Sequence, residues 1–326
     1  MLQSLHIPSF QTHTGYTCDL TVTYQLFGQT LGEAPIVLVN HALTGNSSVT
    51  GDHGWWSDLI GKNKAIDTDG YTILAIDIPG NGYDGQLDHL ITEYSQFHNR
   101  DIAQIQMKVI NHLNINSLFA VIGGSLGGQI AWELAVQNPA LIEHLIPVAT
   151  DWKATDWVIA QCSIQEQILH NSTQPLHDAR MHAMTFYRTA ASFTAKFNRS
   201  IHLEKGMYNV KSWLLHHGKR LEARFELSTY KLMNHLLGSA SITDGRGEIQ
   251  ELLQPIKSTV HLVAIDSDGL FYPEPIYQTY QLLQEADVPS YYHEIHSIHG
   301  HDAFLIEYEQ LSTIIKPIFQ KQLCHK

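Results

Sequence analysis

Between Phe119 and Ala135 the chain reads FAVIGGSLGGQIAWELA: an apolar run, two glycines, one serine, a leucine, two more glycines, then an amphipathic segment. The first part is strand-like. The last is helical, with Ile130, Ala131, Leu134 and Ala135 on one face and Pro139 closing it. Gly123-Gly124-Ser125-Leu126-Gly127 fits the pattern G-x-S-x-G, in which a serine occupies a strained turn from strand to helix. Side chains at the flanking positions would strike the neighbouring strand and helix, so glycine is required there. The turn lifts the hydroxyl above the sheet edge, at a helix N-terminus where free N–H groups and the dipole favour developing negative charge. The competing reading is a glycine-rich turn with an incidental serine. Placement between a strand and a clear helix favours a nucleophile.

The rest of the chain supplies a sheet for such a turn. Strand patterns fall at 19–26, 36–40, 72–77, 118–122, 144–149, 259–265 and 290–296. Helical patterns fall at 96–112, 127–138, 273–286 and 303–312. Their alternation predicts a mostly parallel sheet flanked by helices. From 152 to 245 the alternation stops, and WVIAQCSIQEQILHN, PLHDARMHAMTFYRTAASFTAKF and NVKSWLLHHGKRLEARFELSTYKLMNHLLG all read as helices with no strand between them. The expected organisation is an α/β core of residues 1–151 and 246–326, with 152–245 as a helical lid inserted between sheet strands. The loop SITDGRGEI at 241–249 returns the chain to the sheet.

Several function classes are disfavoured. Apolar runs are strand-length, short of the roughly 20 residues that span a bilayer, and the N-terminus MLQSLHIPSF lacks the pattern of a signal peptide. Thirty-two acidic against 20 basic residues give a net charge of −12, which opposes binding to nucleic acid and anionic membranes. Cys18, Cys162 and Cys324 are far apart and match no metal spacing. They fit reduced thiols in a cytoplasmic protein. Among 21 histidines, His296, His299 and His301 in HSIHGHD form the one local cluster.

A nucleophilic serine of this kind needs an acid and then a base later in the chain. TVHLVAIDSDGLFYPEP places Asp266 and Asp268 just past a strand end, where such sheets carry functional groups. YYHEIHSIHGHDAFL follows, with His301 opening a helix after Gly300. The order fits a triad. An oxyanion needs two N–H donors: Leu126 supplies one, and IVLVNHALTG supplies the other in the turn His41–Gly45, at Leu43. His41 precedes the serine and reads as structural.

Together these residues resemble the homoserine O-acetyltransferase family of α/β-hydrolase-fold enzymes. NHALTGNSS is similar to that family's oxyanion segment, and GWWSDLIGKNKAIDTDGY to its Trp-Trp stretch. GGSLGGQIAWELA is similar to its elbow, ARMHAMTFYRTAASFTAKF and YNVKSWLLHHGKRLEARFELSTYKLM to its lid helices, and SDGLFYP and GHDAFL to its acid and base motifs. The resemblance implies acetyl transfer from acetyl-CoA, a co-substrate, to L-homoserine through Ser125, with His301 as base, Asp268 as acid and no bound cofactor or metal. It selects Asp268, since Ser267-Asp268-Gly269-Leu270-Phe271 matches the family's Ser-Asp-x-Leu-Phe run and Asp266 does not. It further implies Arg180, Tyr187 and Asp302 as the amino-acid site, and a homodimer formed through the lid helices. Arg180 and Tyr187 also suit an exposed helix pair, and Asp302 a dipole-favoured residue near a helix start. One segment departs: between TILAID and HNRDI the family carries a longer Gly/Ser/Thr-rich loop, where this chain has only IPGNGYDGQLDHLITEYSQF.

Three other readings compete. A hydrolase can use the same triad on an ester, and a succinyl donor or a serine acceptor would fit the same fold. A non-enzymatic scaffold would not need the full set of Ser125, Asp268 and His301. A metal site at His296, His299 and His301 would take His301 away from the serine.

Overall fold

The computed structural model describes residues 1–323; Cys324 lies outside them. Eight strands form one sheet: β1 (Gln3–Gln11), β2 (Thr17–Gly28), β3 (Ile36–Asn40), β4 (Thr72–Ile76), β5 (Leu118–Gly124), β6 (Ile142–Val148), β7 (Thr259–Ile265) and β8 (Ser290–Ile295). Their spatial order is β1-β2-β4-β3-β5-β6-β7-β8. β2 runs antiparallel to both its neighbours and every later pairing is parallel. β3 therefore lies between β4 and β5, with Asn40 beside Gly123. The carboxyl ends of β3 and β5 open side by side, the position where sheets of this kind bind ligands.

Each central strand is buried on both faces, which explains the uninterrupted apolar runs. Leu38, Leu74, Val121 and Leu145 join the core beneath α1 (Asn99–His112) and α2 (Leu126–Gln137). Val37, Val39, Ile73 and Ile122 face the other core, which includes the fully buried Trp56.

Between β6 and β7 come α3 (Asp156–Asn171), α4 (Pro175–Tyr187), α5 (Ala190–Phe197), α6 (Asn209–Glu222), α7 (Leu227–Gly238) and α8 (Ile249–Leu253). The run expected as helix from Pro175 to Phe197 is broken at Arg188, because the Thr189 hydroxyl caps α5 by accepting from the Ser192 N–H. Contrary to expectation, two short paired strands, Ile201–His202 and Met207–Tyr208, lie within this stretch. They close on Gly206, whose φ of 58° suits a tight turn.

α9 (Pro273–Glu285) and α10 (Tyr308–Leu323) complete the fold. The helix expected at 303–312 is corrected: Gly300–Leu305 is a tight 3₁₀ segment, and α10 begins only at Tyr308 and runs past Pro317. His301 sits in the 3₁₀ turn, not at the start of α10. β1 lacks a sequence signal because it is an edge strand with few buried residues and contains Pro8.

Candidate active site

The glycines around Ser125 are required by close approach. A Cβ on Gly127 would lie 2.4 Å from the Asn40 carbonyl oxygen, and one on Gly123 would lie 2.4 Å from the Gly127 carbonyl oxygen. Both distances are far inside contact, so α2 can start against the end of β3 only without side chains there. Ser125 itself takes φ 55° and ψ −125°, a conformation L-residues avoid. Its N–H is tied to the Val148 carbonyl at 2.9 Å, which fixes the strained turn to β6.

The hydroxyl lies 2.9 Å from His301 Nε2. His301 Nδ1 donates to Asp268 Oδ2 at 2.7 Å. The other carboxylate oxygen, Oδ1, accepts the N–H groups of Leu270 at 2.8 Å and Phe271 at 3.0 Å. Ser125, Asp268 and His301 are all buried, and the imidazole is enclosed by the rings of Tyr187, Phe271 and Phe304. Asp266, by contrast, faces outward, where it accepts the Ser297 N–H and pairs with His296.

The turn after β3 is held by two buried groups. His41 Nδ1 donates to the Ala42 carbonyl at 2.8 Å, and its Nε2 accepts the Ile78 N–H at 3.0 Å. The second bond needs a neutral ring, and burial pushes the His41 pKa down, outweighing Asp77 and the Ala42 carbonyl. Asp77 accepts from the Ser47 N–H, the Ser47 and Thr23 hydroxyls and the Asn81 amide, each at 2.7 Å. Leu43 lies buried inside this turn. Trp55 donates to the Asn46 carbonyl at 2.9 Å. Trp56 donates to the Phe304 carbonyl at 3.2 Å, and the Phe304 ring packs on both Gly124 and His301. The Trp-Trp stretch thus braces the loop with one indole and the segment around the base with the other.

Arg180 and Tyr187 lie on α4, with the guanidinium 5.7 Å from the Tyr187 ring centre. Among the described residues no hydrogen bond or ion pair holds the Arg180 guanidinium. Burial, reinforced by Tyr230, pushes the Tyr187 phenol well above its usual pKa. Asp302 is not unpaired: its Oδ2 accepts from Arg188 Nε at 2.8 Å, and Arg188 also reaches His299 Nδ1 at 3.1 Å. Arg188 went unsingled in the sequence because its partner is 114 residues away.

His296, His299 and His301 therefore point at Asp266, at Arg188 and Ser192, and at the serine respectively. Among the described residues no group of three or more His, Cys, Asp or Glu could hold a metal ion. No described helix is long and apolar enough to cross a membrane.

A family model described as the α/β-hydrolase fold matches residues 35–212. The homoserine O-acetyltransferase of Cyclobacterium marinum is 33% identical over 98% of this chain and 98% of its own length. Among solved structures, homoserine O-acetyltransferase from Bacillus anthracis superposes with a TM-score of 0.88 at 20% identity, covering 98% of this chain and 97% of its own. Esterase E22 does so with a TM-score of 0.86 at 18% identity, covering 98% and 100%. The fold is thus common to a transferase and an esterase, and shape alone does not separate them.

Proposed function

The chain belongs to the homoserine O-acetyltransferase family of α/β-hydrolase-fold enzymes, and from that premise we propose that it moves an acetyl group from acetyl-CoA to the hydroxyl of L-homoserine through an acetyl-Ser125 intermediate. The observation that carries this reading is the buried hydrogen-bonded chain Ser125–His301–Asp268 beneath a strained serine.

His301 Nε2 takes the Ser125 proton as Oγ attacks the thioester carbonyl. The tetrahedral oxyanion receives the N–H groups of Leu126, at the start of α2, and Leu43, in the braced turn. Collapse expels the CoA thiolate, which leaves with the proton from His301. The homoserine hydroxyl then gives its proton to His301 and attacks the acetyl-enzyme, and collapse returns the proton to Ser125. Asp268 holds the imidazole in the Nδ1–H tautomer throughout and stabilises its cation.

Arg180 receives the homoserine carboxylate, and the absence of a hydrogen-bond or ion-pair partner for its guanidinium among the described residues supports that role. Asp302 takes the ammonium on Oδ1 while Arg188 holds Oδ2. Tyr187 closes the pocket over His301. Residues 152–245 act as the lid that excludes water. A cytoplasmic homodimer formed through the lid helices fits the exposed Ile159 and Ile164 of α3.

Intact-mass analysis tests the reading. Acetyl-CoA alone should add one acetyl group, Ser125→Ala should abolish it, and homoserine should restore the original mass. An adduct mapping to another residue would refute the assignment. Ester hydrolysis is the second reading, since esterase E22 shares this fold. It predicts that the acetyl-enzyme decays in buffer as fast as it does with homoserine.

A further inference from the structure

Charge is not spread evenly along this acidic chain. Residues 180–224 hold nine Lys/Arg and two Asp/Glu, a net +7, and leave the remainder at −19. Among the described residues only one of these nine cations, Arg188, is ion-paired with a carboxylate. Like charges held together without counterions repel, and a low-dielectric protein surface focuses their field toward an anion.

The arrangement is directional. Trp213, His217, Arg220 and Arg224 recur at helical spacing and share one stripe on α6 and its exit. At one end Arg224 donates to the Thr44 carbonyl at 3.0 Å, next to Leu43 in the braced turn. At the other end a cleft of about 380 Å³ is lined in part by Lys196, Lys205, Ser212, Trp213 and His216. Lys196 lies 5.3 Å from the Trp213 ring centre, and Lys205 donates to Ser212 at 3.1 Å. From Arg220 to Trp213 the stripe covers about 10.5 Å of helix, at 1.5 Å per residue. Desolvation pushes the His217 pKa down to about 4, with Arg180, His216, Arg220 and Lys196 adding to it, so these groups converge on one ring.

We propose that this stripe and cleft bind the nucleotide end of the acyl donor, with Lys196, Lys205 and Arg220 meeting its phosphates. The pantetheine arm then runs along α6 toward the turn that carries Leu43. The inference rests on acetyl-CoA being the donor, as proposed above. Phosphate oxygens accept from ammonium and guanidinium groups.

The test compares acetyl-CoA with S-acetyl-N-acetylcysteamine, a thioester that lacks the nucleotide. Lys196→Ala/Arg220→Ala should raise KM for acetyl-CoA roughly tenfold, as expected for losing two screened phosphate contacts. The same double variant should leave kcat/KM for the truncated thioester and KM for homoserine unchanged. Adenosine 3′,5′-bisphosphate should compete with acetyl-CoA on the wild type and do so more weakly on the variant, and inorganic phosphate should compete poorly. Equal effects on both thioesters, or no effect on either, would overturn the proposal. Inhibition by the bisphosphate that is not competitive with acetyl-CoA would also overturn it, by showing a separate nucleotide site. A wild type that forms no acetyl-enzyme with acetyl-CoA would refute the donor reading, and this inference would fall with it. An acetylated wild type with an unaffected double variant would refute this inference alone.

Discussion

Replacing Asp268 with asparagine should disable the base without disturbing the fold. The reason lies in the carboxylate's two oxygens. Oδ1 accepts two backbone N–H groups and Oδ2 accepts the His301 Nδ1–H. In Asp268→Asn the amide oxygen must take one of these positions and the NH₂ the other. With oxygen toward the backbone, the NH₂ faces Nδ1, turns it into an acceptor and moves the ring proton to Nε2, where it can no longer receive the serine proton. The opposite orientation keeps the productive tautomer but sets NH₂ against two N–H donors. Leaving those two groups unsatisfied costs about 1–3 kcal/mol each, together roughly 2–6 kcal/mol. That corresponds to a loss of about 30- to 10⁴-fold at tenfold per 1.4 kcal/mol, and serine proteases lose about 10⁴ on the equivalent change. We expect turnover to fall by about 10³ to 10⁴. Thiol release from acetyl-CoA, followed in single and multiple turnovers, should show acetylation and transfer slowed alike, since the proposed mechanism uses His301 in both. Asp266→Asn, altered at a half-exposed loop carboxylate, should lose less than about threefold, as surface changes usually do. A correctly folded Asp268→Asn that keeps a tenth of wild-type turnover, or that outperforms Asp266→Asn, would refute the argument.

Two further outcomes follow from the same geometry. Arg180→Lys keeps the charge but not the planar fork, so acetylation should run near the wild-type rate while transfer to homoserine slows by about 30-fold or more; slowed acetylation with normal transfer would move Arg180 to the donor site. Asp151 is buried with its pKa pushed up to about 7, chiefly by desolvation against a Thr279 hydrogen bond. The folded state therefore binds the proton more tightly than the unfolded chain, and stability contributed by this group falls as pH rises from about 4 to about 7. Asp151→Asn should raise the thermal midpoint relative to wild type at pH 8 more than at pH 5, and an equal effect at both would contradict the buried titration.

What was legible in the sequence was local. The elbow around Ser125 announces itself because strand, turn glycines and helix are contiguous, and Asp268 and His301 stand at strand ends in the required order. The long α3, α6 and α7 are carried by helical periodicity. Long-range pairings were not legible: Asp77 with Thr23 and Ser47, Arg188 with Asp302, and Trp56 with the Phe304 carbonyl are separated by 30 to 248 residues and leave no periodic trace. The stop before α10 was missed for a different reason: residues 303–305 are apolar enough to read as helix, yet they close a 3₁₀ turn that Gly300 opens at φ 66°.

The position of the Asp77 and His41 anchors has a consequence for how such a scaffold can diversify. Their partners on the β4 side, Ile78 and Asn81, stand at the start of the segment after β4, while the rest of it runs outward to Phe97, which is again fully buried. The turn carrying Leu43 is thus tied to the root of that loop and not to its tip. Residues 83–96 can be lengthened or exchanged without touching the bonds that hold this turn. The geometry of the turn and the make-up of the outer loop become separable traits in this architecture, inherited on different stretches of chain.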